Sequence, residues 1–177
     1  QNLANSPHPF RFEIVDAQAI PYPRDCFDGV LANHMLYHVL DRERAFSEIR
    51  RVLKPGGTFY ASTIGARHLS ELKALAARFD PRFSDWGQRP ADDFTLENGG
   101  AQLAQMFAEV TLCRYDDDLV VTDPDALIAY ILSGAMRPSD DRHRDFARFV
   151  HDEFQERDGT FFITKDSGLF EARGLLS

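Results

Sequence analysis

Several things are scarce in this chain of 177 residues, and each scarcity narrows its class. It has two cysteines, Cys26 and Cys113, with no CxxC spacing; a disulfide-stapled or zinc-knuckle scaffold does not fit, and a reducing, cytoplasmic setting is expected. No apolar run approaches the roughly twenty residues of a spanning helix, so no membrane partner is expected. Positive charge is in deficit, with 20 Lys and Arg against 28 Asp and Glu for a net charge of −8. Nucleic acid and anionic lipid are recognised by clustered Lys and Arg, so a small molecule is the expected partner and no nucleic acid is. Glycine is missing altogether before residue 16.

What remains is a chain with 44% hydrophobic residues, enough for one compact core without staples. "FEIVD" at 12–16 and "DGVLAN" at 28–33 are short apolar runs that end in polar residues, the pattern of strands buried on both faces of a mostly parallel sheet. Between them Pro21 and Pro23 disfavour a helix. "DRERAFSEIRRVL" at 41–53 sets Ala45, Phe46, Ile49, Val52 and Leu53 on one stripe behind an Asp41 N-cap. Its basic end, "RRVLK", complements the helix dipole rather than forming a binding patch. "KPGG" ends that helix and "TFYAST" at 58–63 supplies the next strand, about the length of one βαβ unit.

Farther along, apolar spacing predicts helices over 69–79 and from Thr95 to about Phe107. "EVTLCRY" and "DLVVT" read as strand interrupted by the acidic run Asp116–Asp118, and 84–93 reads as loop. Asp123, Pro124 and Gly134 bracket another helix, and 140–156 spaces Phe146, Phe149, Val150 and Phe154 as a core face. "GTFFITKDSGLFEAR" reads as strand, turn and strand. The acidic pair Asp92–Asp93 and the run Asp116–Asp118 lack ligand spacing and read as solvated turns.

Polar residues at strand ends suit a ligand crevice, because open α/β sheets bind ligands outside the carboxyl ends of their strands. "VDAQAIPYPRDCFDGVLANHMLYHV", a helix, and then "RVLKPGGTFYAST" together resemble the central part of the class I S-adenosylmethionine-dependent methyltransferases, including the quinone-biosynthesis C-methyltransferases. The resemblance carries specific expectations for Arg11–Thr63. It implies a Rossmann-like α/β fold, an open, mostly parallel sheet with flanking helices and an antiparallel C-terminal strand. It implies S-adenosyl-L-methionine as cofactor and a small-molecule methyl acceptor. Asp16 would face the adenine amine, Ala17 and Gln18 would line the base, and Asn33, His34 and Met35 would lie along the methionine part. His38 would stand beside the site, as a weak candidate for a base, while Tyr37, Trp86 and Tyr130 are candidate acceptor walls.

The family also carries a strand with a glycine-rich turn and a second strand with a ribose-binding acid, upstream of the adenine-side acid. Neither pattern is present, so residues 1–177 are expected to form a single, N-terminally incomplete methyltransferase domain. In the family order 3-2-1-4-5-7-6 the strand 28–33 then becomes an apolar edge, which favours a homodimer or a domain-swapped assembly. Two other readings compete. A non-catalytic binding or assembly module keeps part of the fold without the activity. A metal pair of His34 and His38, four apart, would need both on one helix face and further ligands that the sequence does not supply.

Overall fold

The computed structural model describes residues 10–83, 93–133 and 140–175. Among these residues four strands form one sheet: β1 (Phe27–Asn33), β2 (Leu53–Ile64), β3 (Phe107–Val121) and β4 (Phe161–Leu175). Their order is β1-β2-β4-β3. β1 and β2 are parallel, and β4 opposes both β2 and β3, so three strands share a direction and the last runs against them. This is the expected open sheet with an antiparallel C-terminal strand, and its order matches the 4-5-7-6 half of the family layout.

Among the described residues, five α-helices flank the sheet: α1 (Arg42–Val52), α2 (Ser70–Phe79), α3 (Gly99–Leu103), α4 (Pro124–Ser133) and α5 (Asp140–Glu156). Asp41 caps α1 as its spacing predicts, its carboxylate accepting from the Arg44 N–H at 3.0 Å. Asp123 caps α4 by accepting from the amides of Asp125 and Ala126. No described helix is long and apolar enough to cross a membrane.

The apolar side chains fall into two clusters. One packs α1 and α3 on the sheet through Phe46, Phe59, Phe94, Phe107 and Phe170, all buried. Rings within it meet edge to face or stacked, at centroid separations from 5.6 to 6.4 Å. The other packs α2, α4 and α5 on the far stretch of the β3/β4 pair through Leu72, Ile131, Phe146, Phe154 and Phe161. The phenylalanine stripe of 140–156 is therefore core, as its spacing predicts. β4 belongs to both clusters, contributing Phe170 and Ala172 to the first and Phe161 and Ile163 to the second.

The structure corrects five expectations. "FEIVD" is not a strand: no described strand lies beside it, and a backbone without a ladder partner keeps its polar groups in water. Phe12 and Ile14 accordingly stand exposed. The helix expected from Thr95 shrinks to α3, because Asn98 Oδ1 folds back to accept from the Thr95 amide at 2.9 Å in a turn ahead of it, and Phe107 already belongs to β3. The acidic run does not break β3; Asp117 pairs with Lys165 across the ladder, the Nζ donating at 2.5 Å.

In "GTFFITKDSGLFEAR" the expected strand, turn and strand are likewise one unbroken strand from Phe161. Gly168 lies inside it, where a Cβ would come within 2.8 Å of the Cys113 carbonyl oxygen; glycine here permits close strand approach rather than a turn. Asp93 is buried, with its carboxylate accepting from the Phe94 amide, and is no solvated turn. Trp86, Asp92, Gly134 and most of the 84–93 loop lie outside the described residues.

Candidate functional site

The segment that leads into β1 is fastened to α1 by side chains of the helix. Glu48 accepts from the Ile20 amide at 2.8 Å and from Arg51 Nε and Nη2, each at 2.7 Å. Arg51 in turn donates to the carbonyls of Tyr22 and Ile20 at 2.7 and 2.8 Å. The ion pair with Arg51 holds the Glu48 carboxyl down at about 2. The basic end of α1 thus has a structural task, as expected, but a more specific one than complementing a dipole.

Asp16, Ala17 and Gln18 form a tight turn at the start of this fastened segment. Asp16 Oδ1 accepts from the Gln18 amide at 2.9 Å and from Gln18 Nε2 at 3.2 Å, while its carbonyl accepts from Ala19 at 3.0 Å. These donors hold the exposed carboxyl below the usual carboxylate range. Oδ2 has a longer contact, 3.5 Å to Gln18 Nε2, and a carboxylate oxygen with lone pairs to spare can accept from an exocyclic amine. Asp16 thus begins a turn and does not end a strand.

Gln18 ties the turn to the helix. Its Oε1 accepts from the Asp41 amide at 2.9 Å and its carbonyl accepts from Arg44 Nε at 2.9 Å. The second group arrives at the same helix from the other direction. Asn33 ends β1, paired with Ser62 of β2; His34 follows in the left-handed region at φ 48°. Its amide donates to the Ser62 carbonyl at 3.2 Å and to Ser62 Oγ at 3.1 Å. A non-glycine residue held there by two acceptors marks a constrained bend at a strand end.

Met35 is half-buried against the core, Leu36–His38 form a single 3₁₀ turn, and Val39 and Leu40 lead to Asp41. Both groups therefore converge on the N-terminal end of α1: Asp16–Gln18 through the Gln18 bonds, Asn33–Met35 through the short connection. His38 lies in the 3₁₀ turn with its ring 4.6 Å from Tyr37, exposed to solvent. His34 sits at a bend and His38 in a three-residue turn, so the two do not share a helix face as a metal pair requires.

Sequence reasoning missed Ser62 and the strap made by Gln18. Ser62 lies inside an apolar strand pattern, where only its register opposite Asn33 shows its use. A hollow of about 320 Å³ beside the start of α1 is lined by Arg42, Glu43, Phe46, Gln102 and Gln105. It shares no wall with the six strand-end residues. Tyr130 lines a different, apolar cavity of about 310 Å³ between α2, α4 and the β3/β4 pair.

Residues 1–61 match the family model described as a methyltransferase domain. A ubiquinone/menaquinone biosynthesis C-methyltransferase from Acidiphilium cryptum is 36% identical over 106 residues, 55% of this chain and 40% of that protein. A malonyl-[acyl-carrier protein] O-methyltransferase from Nitrosospira multiformis is 31% identical over 140 residues, 76% of this chain and 43% of that protein. A solved chain from Anaeromyxobacter dehalogenans, provisionally assigned as a type II methyltransferase, superposes with a TM-score of 0.61 at 21% identity, covering 94% of this chain and 73% of that one. By sequence and by fold, the chain is a relative of the class I S-adenosylmethionine-dependent methyltransferases. It spans less than half the length of the curated methyltransferases quoted, and its match to the family model falls on the stretch that carries both strand-end groups.

Proposed function

We propose that this chain serves S-adenosyl-L-methionine-dependent methyl transfer to a small-molecule acceptor, and that it supplies the adenine-side and methionine-side groups of the cofactor site. The observation that carries this reading is the convergence of Asp16–Gln18 and Asn33–Met35 on one end of α1. The cofactor supplies the sulfonium methyl group; the chain's residues bind and orient. Asp16 accepts from the adenine amine, Ala17 and Gln18 flank the ring, and Met35 gives an apolar surface beside the polar Asn33 and His34. His38, exposed one turn ahead of α1, is the nearest candidate for a base where an acceptor must lose a proton.

A second reading has its own observation in favour. Asp16 Oδ1 is already engaged by both Gln18 donors, and no described segment pairs with the free side of β1. On this reading the chain alone is an assembly module that is incompetent for transfer. Calorimetric titration with S-adenosylhomocysteine separates the two. Saturable binding that weakens ten-fold or more in Asp16→Ala and in Asn33→Ala supports the cofactor site. Binding that ignores both substitutions sinks it, and no binding by this chain at millimolar ligand favours the assembly module.

A further inference from the structure

β4 is paired with both β2 and β3 from Ser167 to Ala172; from Phe161 to Asp166 it pairs with β3 alone. That two-stranded ribbon is covered by α2, α4 and α5, and the cover does not fill the space. The cavity of about 310 Å³ lies between them, with Leu72, Leu127 and Ile163 as a buried floor and Leu119 on its flank. Its size falls at the lower end of small-molecule sites, and a mostly apolar lining with few polar groups is their usual character.

The mouth decides which molecules suit it. Tyr130, 54% exposed, and Leu119, 43% exposed, stand at the opening with His68 and Lys165. Lys165 is the cation among the lining residues, and its Nζ donates to Asp117 Oδ2 at 2.5 Å. That pairing cancels its charge, so an incoming carboxylate gains little from Lys165 and loses its hydration. A neutral molecule avoids that loss. Hydroxyl or carbonyl oxygens on it can exchange hydrogen bonds with the Tyr130 hydroxyl or the His68 ring.

We propose that this cavity is a binding site for a neutral, largely apolar small molecule of one or two rings carrying a hydroxyl or carbonyl oxygen, and that the Lys165–Asp117 pair excludes carboxylates from it. The site is independent of the methyl-transfer reading: it shares no residue with the strand-end groups, and failure of cofactor binding leaves it standing.

The test uses 1-naphthol and 1-naphthoate as probes, titrated by equilibrium dialysis at about pH 8, where an ordinary imidazole is neutral. The unaltered chain should bind 1-naphthol at least ten-fold more tightly than 1-naphthoate. Ala126→Trp, at an exposed lining position, should weaken 1-naphthol ten-fold or more with an unchanged circular dichroism spectrum. Asp117→Asn, which frees the Lys165 charge, should strengthen 1-naphthoate five-fold or more while leaving 1-naphthol within two-fold. Leu31→Ser, on the far edge of the sheet, should leave both probes unchanged. Equal affinity for the two probes, 1-naphthol binding that survives Ala126→Trp, or binding lost in Leu31→Ser would each overturn the proposal.

Discussion

The two ends of the sheet are built by different means. Beside α1, a segment without regular structure is held by polar ties: Glu48 and Arg51 clamp Ile20 and Tyr22, and Gln18 reaches the Asp41 amide. Along the β3/β4 ribbon the helices are held chiefly by apolar packing, with Phe146, Phe154 and Phe161 at the centre. Polar ties have direction, so they place a carboxylate or a strand end within tenths of an ångström. Apolar packing has none, and it encloses volume instead. The first region accordingly offers positioned groups for a cofactor, and the second offers a chamber.

The sharpest way to break this division is to ask whether the regions are separate folding units. β4 threads both, so they should not be. Phe170→Ala empties a fully enclosed site in the first cluster and Phe146→Ala one in the second, each expected to cost about 3–5 kcal/mol from lost transfer energy and the remaining cavity. Urea unfolding followed by both circular dichroism and tryptophan fluorescence should show one coincident transition for each variant. A separate early transition in Phe146→Ala would mean that the ribbon region unfolds alone, and that β4 does not couple the clusters.

The ribbon region also holds buried polar anchors that qualify the contrast, among them Asp80, which accepts from Arg142 of α5, and Glu153. Glu153 is about 5% exposed and accepts from Arg78 Nη1 and Nη2 at 2.7 and 2.5 Å, with Arg157 at 3.4 Å. Glu153→Ala leaves those guanidinium groups to solvent, since both arginines are about half exposed, and removes a charge-assisted pair worth roughly 1–3 kcal/mol. The urea midpoint should fall accordingly, by less than in either phenylalanine variant. A loss as large as that of Phe146→Ala would make this region as dependent on polar ties as the other.

How far these regions could be read from sequence follows the same division. Periodicity gives α1, α2, α4 and α5, and the caps Asp41 and Asp123 of α1 and α4, because each helix buries an apolar stripe whose spacing survives any arrangement of neighbours. The strand pattern at 28–33 corresponds to β1, whereas that at 12–16 does not form a strand, because the apolar run has no described strand to pair with. The acidic run was misread as a break because charges on an exposed two-stranded ribbon can be balanced across the ladder, here by Lys165 opposite Asp117. Asp16 and Asn33 were legible as polar ends of apolar runs. Ser62 and the Gln18 strap were not, since both depend on contacts between segments more than twenty residues apart. The cavity beside Tyr130 was legible only as one aromatic wall candidate, because volume left between four elements has no local signature.

Acid should loosen the clamped region in a defined window. The Glu48 carboxyl is held at about 2 in the folded chain by Arg51 and the Ile20 amide, against about 4.3 when free. A depressed folded value means that the stabilisation is complete above the free value and disappears as pH falls through about 4 toward 2. The pair is 26% and 22% exposed, so solvent screening reduces the contribution to about 1 kcal/mol. Urea midpoints measured between about pH 6 and 3 should therefore fall less steeply in Glu48→Gln than in the unaltered chain. Identical slopes would show that the clamp adds nothing to stability.

The smallest expected change in stability tests the free side of β1, where the comparison between regions is most one-sided. β3 at the other edge carries charged residues along its length, and outward charge discourages pairing between edges. β1 instead presents Leu31, 66% exposed. Exposed substitutions of this kind usually change stability by no more than about 0.5 kcal/mol, so Leu31→Lys should leave the urea midpoint nearly unchanged. Its effect should appear in association: sedimentation of the unaltered chain should shift with concentration toward a dimer, and Leu31→Lys should hold it monomeric. A chain that sediments as a monomer before any substitution would remove β1 as a pairing edge and leave the contrast between the two sheet ends to the polar ties alone.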